Sequence, residues 1–138
     1  MSEKIIVSAC LAGLNCRYDC ASKEKEDIVK LVKDGIAIPV CPEQLGGLST
    51  PREPAEIQQN RVITATGTDV TEKYENGALE ALKMVNMTGA SKAILKSKSP
   101  MCGYGEIYDG SYTGKLKKGD GVFTKLLIKL GIKVESRD

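Results

Sequence analysis

Three short apolar runs in this chain each deliver a cysteine, and no other feature restricts the possible folds so much. Ile5-Ile6-Val7-Ser8-Ala9 runs into Cys10, and Ile36-Ala37-Ile38-Pro39-Val40 runs into Cys41. Ala93-Ile94-Leu95-Lys96 leads through Ser97-Lys98-Ser99-Pro100-Met101 to Cys102. Continuous β-branched runs of this length read as strands buried on both faces. Pro42, Gly46 and Gly47 forbid a continuing helix or strand after Cys41, so Cys41 and Glu43 are expected on a loop at a strand tip.

Helical patterns separate these strands. Ser22 is placed to cap a helix over Lys23–Asp34, with Gly35 at its end. Asp69 and Glu72 have capping-box spacing ahead of a helix whose inner face is Tyr74, Ala78, Ala81, Leu82 and Val85, closed by Gly89. Asp120 heads a last helix striped by Val122, Phe123, Leu126, Leu127 and Leu130, and Ile132–Glu135 makes a final strand. Leu48–Asn60 reads as loop, Arg61–Thr66 as a strand or half of a hairpin, and Gly103–Gly119 as an ordered loop with a hairpin. The alternation predicts one α/β domain over residues 1–138, a mostly parallel, Rossmann-like sheet flanked by helices. Ligands of such sheets bind beyond the carboxyl ends of the strands. Cys10, Cys41 and Cys102 all fall there, so residues distant in sequence are expected to meet at one edge.

Composition narrows the chemistry. A net charge of +2 gives no case for nucleic acid or an anionic membrane as partner, and no apolar run approaches a membrane span. The N-terminus lacks a signal-peptide layout, so a cytoplasmic protein is expected. Five cysteines and no histidine remove Cys–His dyads and every His-containing zinc site. An odd cysteine count in a reducing compartment argues for metal binding or thiol chemistry over a disulfide framework. A free cysteine taken singly is usually a small buried hydrophobe; three that all follow strands, two of them abutting Pro42 or Gly103, point to a shared site. Thiolates select zinc or iron–sulfur clusters, and no Cys-x-x-Cys pair exists to build a zinc ribbon or a ferredoxin-type motif. Glu43, beside Cys41, is a candidate general base, or else an exposed loop carboxylate. Lys96 ends an apolar run where it can orient an anion, whereas Lys98 reads as solvated surface. Arg52, between Pro51 and Pro54, can clamp a polar substrate or pair with a nearby carboxylate. Gly46 and Gly47 allow close backbone approach or positive φ. Cys16 and Cys20 share the loop of Cys10 as spare ligands, a resolving pair or packed side chains, with no catalytic role assigned.

Cys10-Leu11-Ala12-Gly13 with Cys16-Arg17-Tyr18-Asp19, Cys41-Pro42-Glu43-Gln44-Leu45-Gly46-Gly47-Leu48 with Pro51-Arg52-Glu53-Pro54, and Leu95-Lys96-Ser97-Lys98-Ser99-Pro100-Met101-Cys102-Gly103 occur in that order. Together they resemble the thiouracil desulfurase family of small bacterial and archaeal iron–sulfur enzymes. The resemblance implies a [4Fe–4S] cluster held by Cys10, Cys41 and Cys102, its fourth iron open to the sulfur of a thiolated nucleobase or nucleoside. It puts Glu43 in the place of the catalytic carboxylate, and Ser99 and Lys96 on the substrate side. Sulfur would leave without net redox change. Two positions depart from the family pattern: Cys20 stands where a glycine is expected, and Met101 where a serine is usual. The competing expectations are a thiolate metal or cluster carrier without turnover, and a thiol redox protein working through Cys16 and Cys20. Oligomeric state is not legible.

Overall fold

The computed structural model describes residues 3–138. Four strands, β1 (Ile5–Ser8), β2 (Ala37–Val40), β5 (Lys92–Lys96) and β8 (Lys133–Arg137), form one parallel sheet in the order β2-β1-β5-β8. Successive residues of these strands point to opposite faces; β1, β2 and β5 are covered on both faces, while the edge strand β8 is largely exposed. Ile6, Ala93 and Leu95 enter one apolar cluster, while Val7 and Ile94 enter the other. The first cluster is covered by α3 (Thr71–Thr88) and α4 (Val122–Lys129), the second by α1 (Glu26–Lys33). Phe123, Leu95 and Leu127 are fully buried there, each worth about 1.5–3 kcal/mol of apolar burial. The expected α/β architecture with helices on both faces is what forms.

The strand order carries the functional information. The chain leaves β1 for β2 on one side, then crosses through α3 to β5 on the other. The connections therefore diverge between β1 and β5, and the crevice beyond their carboxyl ends is the switch point where such sheets take ligands.

Several local expectations are corrected. The backbone N–H groups of Lys23 and Lys25 donate to the Cys10 and Leu11 carbonyls at 2.9 and 2.8 Å. Those bonds hold residues 22–25 out of helix, so α1 starts at Glu26 with Lys25, not Ser22, at its N-cap. Cys41 is followed by one helical turn, α2 (Pro42–Leu45), with proline at the first position where its missing N–H costs nothing. Ala55–Gln58, expected as loop, is strand β3, paired antiparallel with β4 (Arg61–Thr64). The hairpin in the glycine-rich stretch exists as β6 (Glu106–Tyr108) and β7 (Leu116–Lys118). The capping box does not close: Asp69 accepts the Thr71 N–H at 2.9 Å, but Val70 is the N-cap and no side chain caps it. Asp120 accepts the Gly105 N–H at 2.8 Å instead of capping α4, whose N-cap is Gly121. Met101 is fully buried in the core and does not reach the cavity described below.

Candidate active site

A cavity of about 300 Å³ opens beyond the carboxyl ends of β1, β2 and β5. Cys10, on the 3-10 turn Ala9–Ala12 after β1, Cys41, directly after β2, and Cys102, in the loop after β5, all line it. Glu43, Ser99 and Lys96 line it too. The three cysteines, Glu43, Ser99 and Lys96 are brought to one cavity, whereas Arg52 is not among its lining residues. Lys98 is not among the lining residues.

Glu43 is positioned by a backbone contact. α2 lies against α3 so closely that a Cβ on Gly46 would sit 2.0 Å from the Lys73 carbonyl oxygen, and one on Gly77 2.0 Å from that of Pro42. Gly46 thus serves the close approach, while Gly47 takes φ +91°. Tyr74 lies one helical turn before Gly77, and its hydroxyl donates to Glu43 Oε1. Arg52 donates to Glu43 Oε2 at 3.0 Å. The same guanidinium donates to the Cys16 carbonyl at 2.9 Å and to the Ser49 carbonyl at 3.1 Å. Arg52 is therefore a structural clamp on the carboxylate, one of its two expected roles. Burial first, then the adjacent Glu43 carboxylate, holds the Tyr74 phenol well above its ordinary range, so it remains a donor.

Cys16, which the sequence offers as a spare ligand, a resolving thiol or a packed side chain, is buried and lines the same cavity. The Cys41 thiol lies 3.8 Å from the Cys16 carbonyl oxygen. Contact with Cys10, set against contact with Cys41 and reinforced by burial, raises the Cys16 thiol to about 11. Nothing in its local sequence marks this; the signal is Arg52, which ties the Cys16 loop to Glu43 across the fold. Cys20 is exposed and absent from the cavity, and both are free thiols, so they do not form a bonded pair. Burial pushes the Cys102 thiol up to about 12. Contact with Cys16, then burial, raises that of Cys41. Burial lowers the Lys96 ammonium. Ser99 Oγ accepts the Cys102 N–H at 2.7 Å, which leaves its hydroxyl proton free to donate.

The donor set suits a soft metal centre. Four thiols line one cavity, yet among the described residues no three Cys, Asp or Glu side chains close tightly enough to hold a single ion. Sulfurs around a cavity but too open for one ion are compatible with a polynuclear core.

The family model for 2-thiouracil desulfurase matches residues 5–138. The chain belongs to the 2-thiouracil desulfurase family. A solved structure of the [4Fe–4S]-dependent thiouracil desulfidase TudS is 46% identical, superposes with a TM-score of 0.94, and is covered over 92% of its length by 99% of this chain. The uncharacterized protein YbbK of Bacillus subtilis (strain 168) is 44% identical over 97% of this chain and 95% of its own. The desulfurase family thus accounts for almost the whole fold, the cysteine-bearing loops included.

Proposed function

We propose that this chain is a [4Fe–4S]-dependent, non-redox desulfurase that converts the thiocarbonyl of a 2-thiouracil-like nucleobase or nucleoside to a carbonyl. One observation carries the reading: Cys10, Cys41 and Cys102 line the same cavity as a carboxylate oriented from both sides. Family membership and the likeness to TudS support it.

Cys10, Cys41 and Cys102 would hold the cluster. When bound, such a cluster supplies a Lewis-acidic iron with an affinity for the soft sulfur of a thiocarbonyl. Glu43 acts as the general base toward water. Arg52 and Tyr74 occupy one lone-pair site on each of its oxygens, and a carboxylate has about four such sites, so each oxygen keeps room for a proton. Ser99 and Lys96 stand on the substrate side, the hydroxyl as a donor to a polar ring edge and the ammonium as a counter-charge. Water's oxygen bonds to carbon, the C–S bond breaks, and sulfur leaves as sulfide carrying protons that originate in the water. No electrons are exchanged.

The partner is a small thiolated base or nucleoside, without nucleic acid. Among the described residues no helix is long and apolar enough to cross a membrane, and all five cysteines are free; both support a cytoplasmic location. Anaerobic purification is expected to give a brown protein with about four irons that forms uracil and sulfide from 2-thiouracil. Glu43→Gln is expected to keep the iron and the colour and to lose most desulfuration. Full activity in that variant would discard the base, and a colourless zinc protein would favour a metal carrier.

A further inference from the structure

Aromatic side chains are scarce here, yet they concentrate at one place. The sequence holds five tyrosines, one phenylalanine and no tryptophan. Four of the five tyrosines, at 18, 74, 108 and 112, line the cavity. Tyr74 belongs to the core and is committed to Glu43. The other three belong to neither apolar cluster and are partly exposed, so core packing does not account for them.

Their placement is built. Tyr112 sits at φ +59°, a conformation costly for a bulky residue and found where surrounding contacts enforce it. Its hydroxyl donates to the Ile63 carbonyl and accepts the Glu56 N–H at 3.0 Å. Its own N–H donates to Glu56 Oε1 at 3.1 Å, and the Gly110 N–H donates to the same oxygen at 3.0 Å. Glu56 is a buried carboxylate on β3, so the β3–β4 hairpin grips the loop that carries Tyr112. Tyr108 is on β6 and Tyr18 comes from the first loop, where the Arg17 guanidinium lies 5.7 Å from its ring centre. Both small hairpins stand outside the parallel sheet: the β6–β7 hairpin carries Tyr108 and Tyr112, which line the cavity, and the β3–β4 hairpin holds Tyr112 in place.

We propose that Tyr108 and Tyr112, with Tyr18 at the rim, form a stacking wall that selects a flat conjugated ring bearing the thiocarbonyl over an acyclic thiocarbonyl. Stacking on tyrosine recognises the face of any base and tolerates changes at its edge. This rests on the desulfurase reading for the identity of the ligand, but the wall reads the ring and not the sulfur.

The test uses iron-loaded, anaerobically purified protein, with equilibrium dialysis against labelled uracil, which has the ring without sulfur, and thiourea, which has the sulfur without the ring. Tyr108→Ala is expected to weaken uracil binding about tenfold and to leave thiourea unchanged, with Tyr108→Phe matching wild type on both. KM for 2-thiouracil should rise by a similar factor while kcat moves far less. Equal weakening of uracil and thiourea, or no weakening of uracil, overturns the wall. Wild-type protein that binds uracil through Tyr108 but releases no sulfide from 2-thiouracil overturns the proposed function and leaves the wall standing.

Discussion

Cys20 is held at φ +62°, where a β-carbon costs about 1–2 kcal/mol relative to glycine. The resemblance to the family leads one to expect glycine at this position, and the cysteine has a backbone cost with no visible return: the thiol is exposed and outside the cavity. Cys20→Gly is expected to raise the urea unfolding free energy by about 1 kcal/mol and leave turnover unchanged. A variant no more stable than wild type would show that some contact of the thiol offsets the strain. Tyr74 gives a second prediction at this scale. Its phenol is a buried neutral donor to Glu43, and hydrogen bonds to charged groups are worth about 1.5–3 kcal/mol. Tyr74→Phe frees one carboxylate oxygen to turn. It is expected to cut kcat about tenfold or more with KM nearly constant and iron content intact. Loss of iron in step with activity would make Tyr74 structural only.

Among the elements, those whose signal is local were legible and those set by tertiary contacts were not. β1, β2 and β5 and the ends of α3 at Gly89 and α4 near Gly131 follow from apolar, β-branched-rich runs and left-handed glycines, whereas the edge strand β8, expected at Ile132–Glu135, forms at Lys133–Arg137. The start of α1 was misplaced because carbonyls in the Cys10 turn capture Lys23 and Lys25. β3 was hidden by Pro51 and Pro54 and by a glutamate whose partners lie in another hairpin. Asp69 shows how an element end is tuned without closing a capping box. Hydrogen bonds from Thr71, helped by Arg61, lower its carboxyl to about 2 from an ordinary 3.8. A depressed folded value means the contribution is present above pH 3.8 and disappears as pH falls toward 2. The melting-temperature gap between wild type and Asp69→Ala is therefore expected to be widest above pH 5 and to close by about pH 2. A gap independent of pH would mean that the carboxylate's charge is not what holds this end of α3.

At the scale of the molecule, convergence of Cys10, Cys41 and Cys102 was legible because each follows a parallel strand and the ends of such strands share one edge. The Arg52–Glu43–Tyr74 arrangement and the inward turn of Cys16 were not. They depend on the crossing of α3 over α2 at Gly46 and Gly77, and on a guanidinium that spans two loops. The same topology makes a thermodynamic prediction. The three proposed ligands come from separate loops at the ends of β1, β2 and β5, so a cluster bound to all three would cross-link those strands in the folded chain alone. A ligand held by the native state and not by the unfolded one stabilises in proportion to its binding free energy. Anaerobic calorimetry is expected to show the iron-loaded protein melting several degrees above the chelator-stripped one, since 1 kcal/mol moves the midpoint by about 4 °C at this size. Cys41→Ser should abolish both the iron and the shift, because it removes the only bond from the β2 end, whereas Cys16→Ser should keep both. If Cys16→Ser lost the shift and Cys10→Ser kept it, the ligand from the first loop would be Cys16.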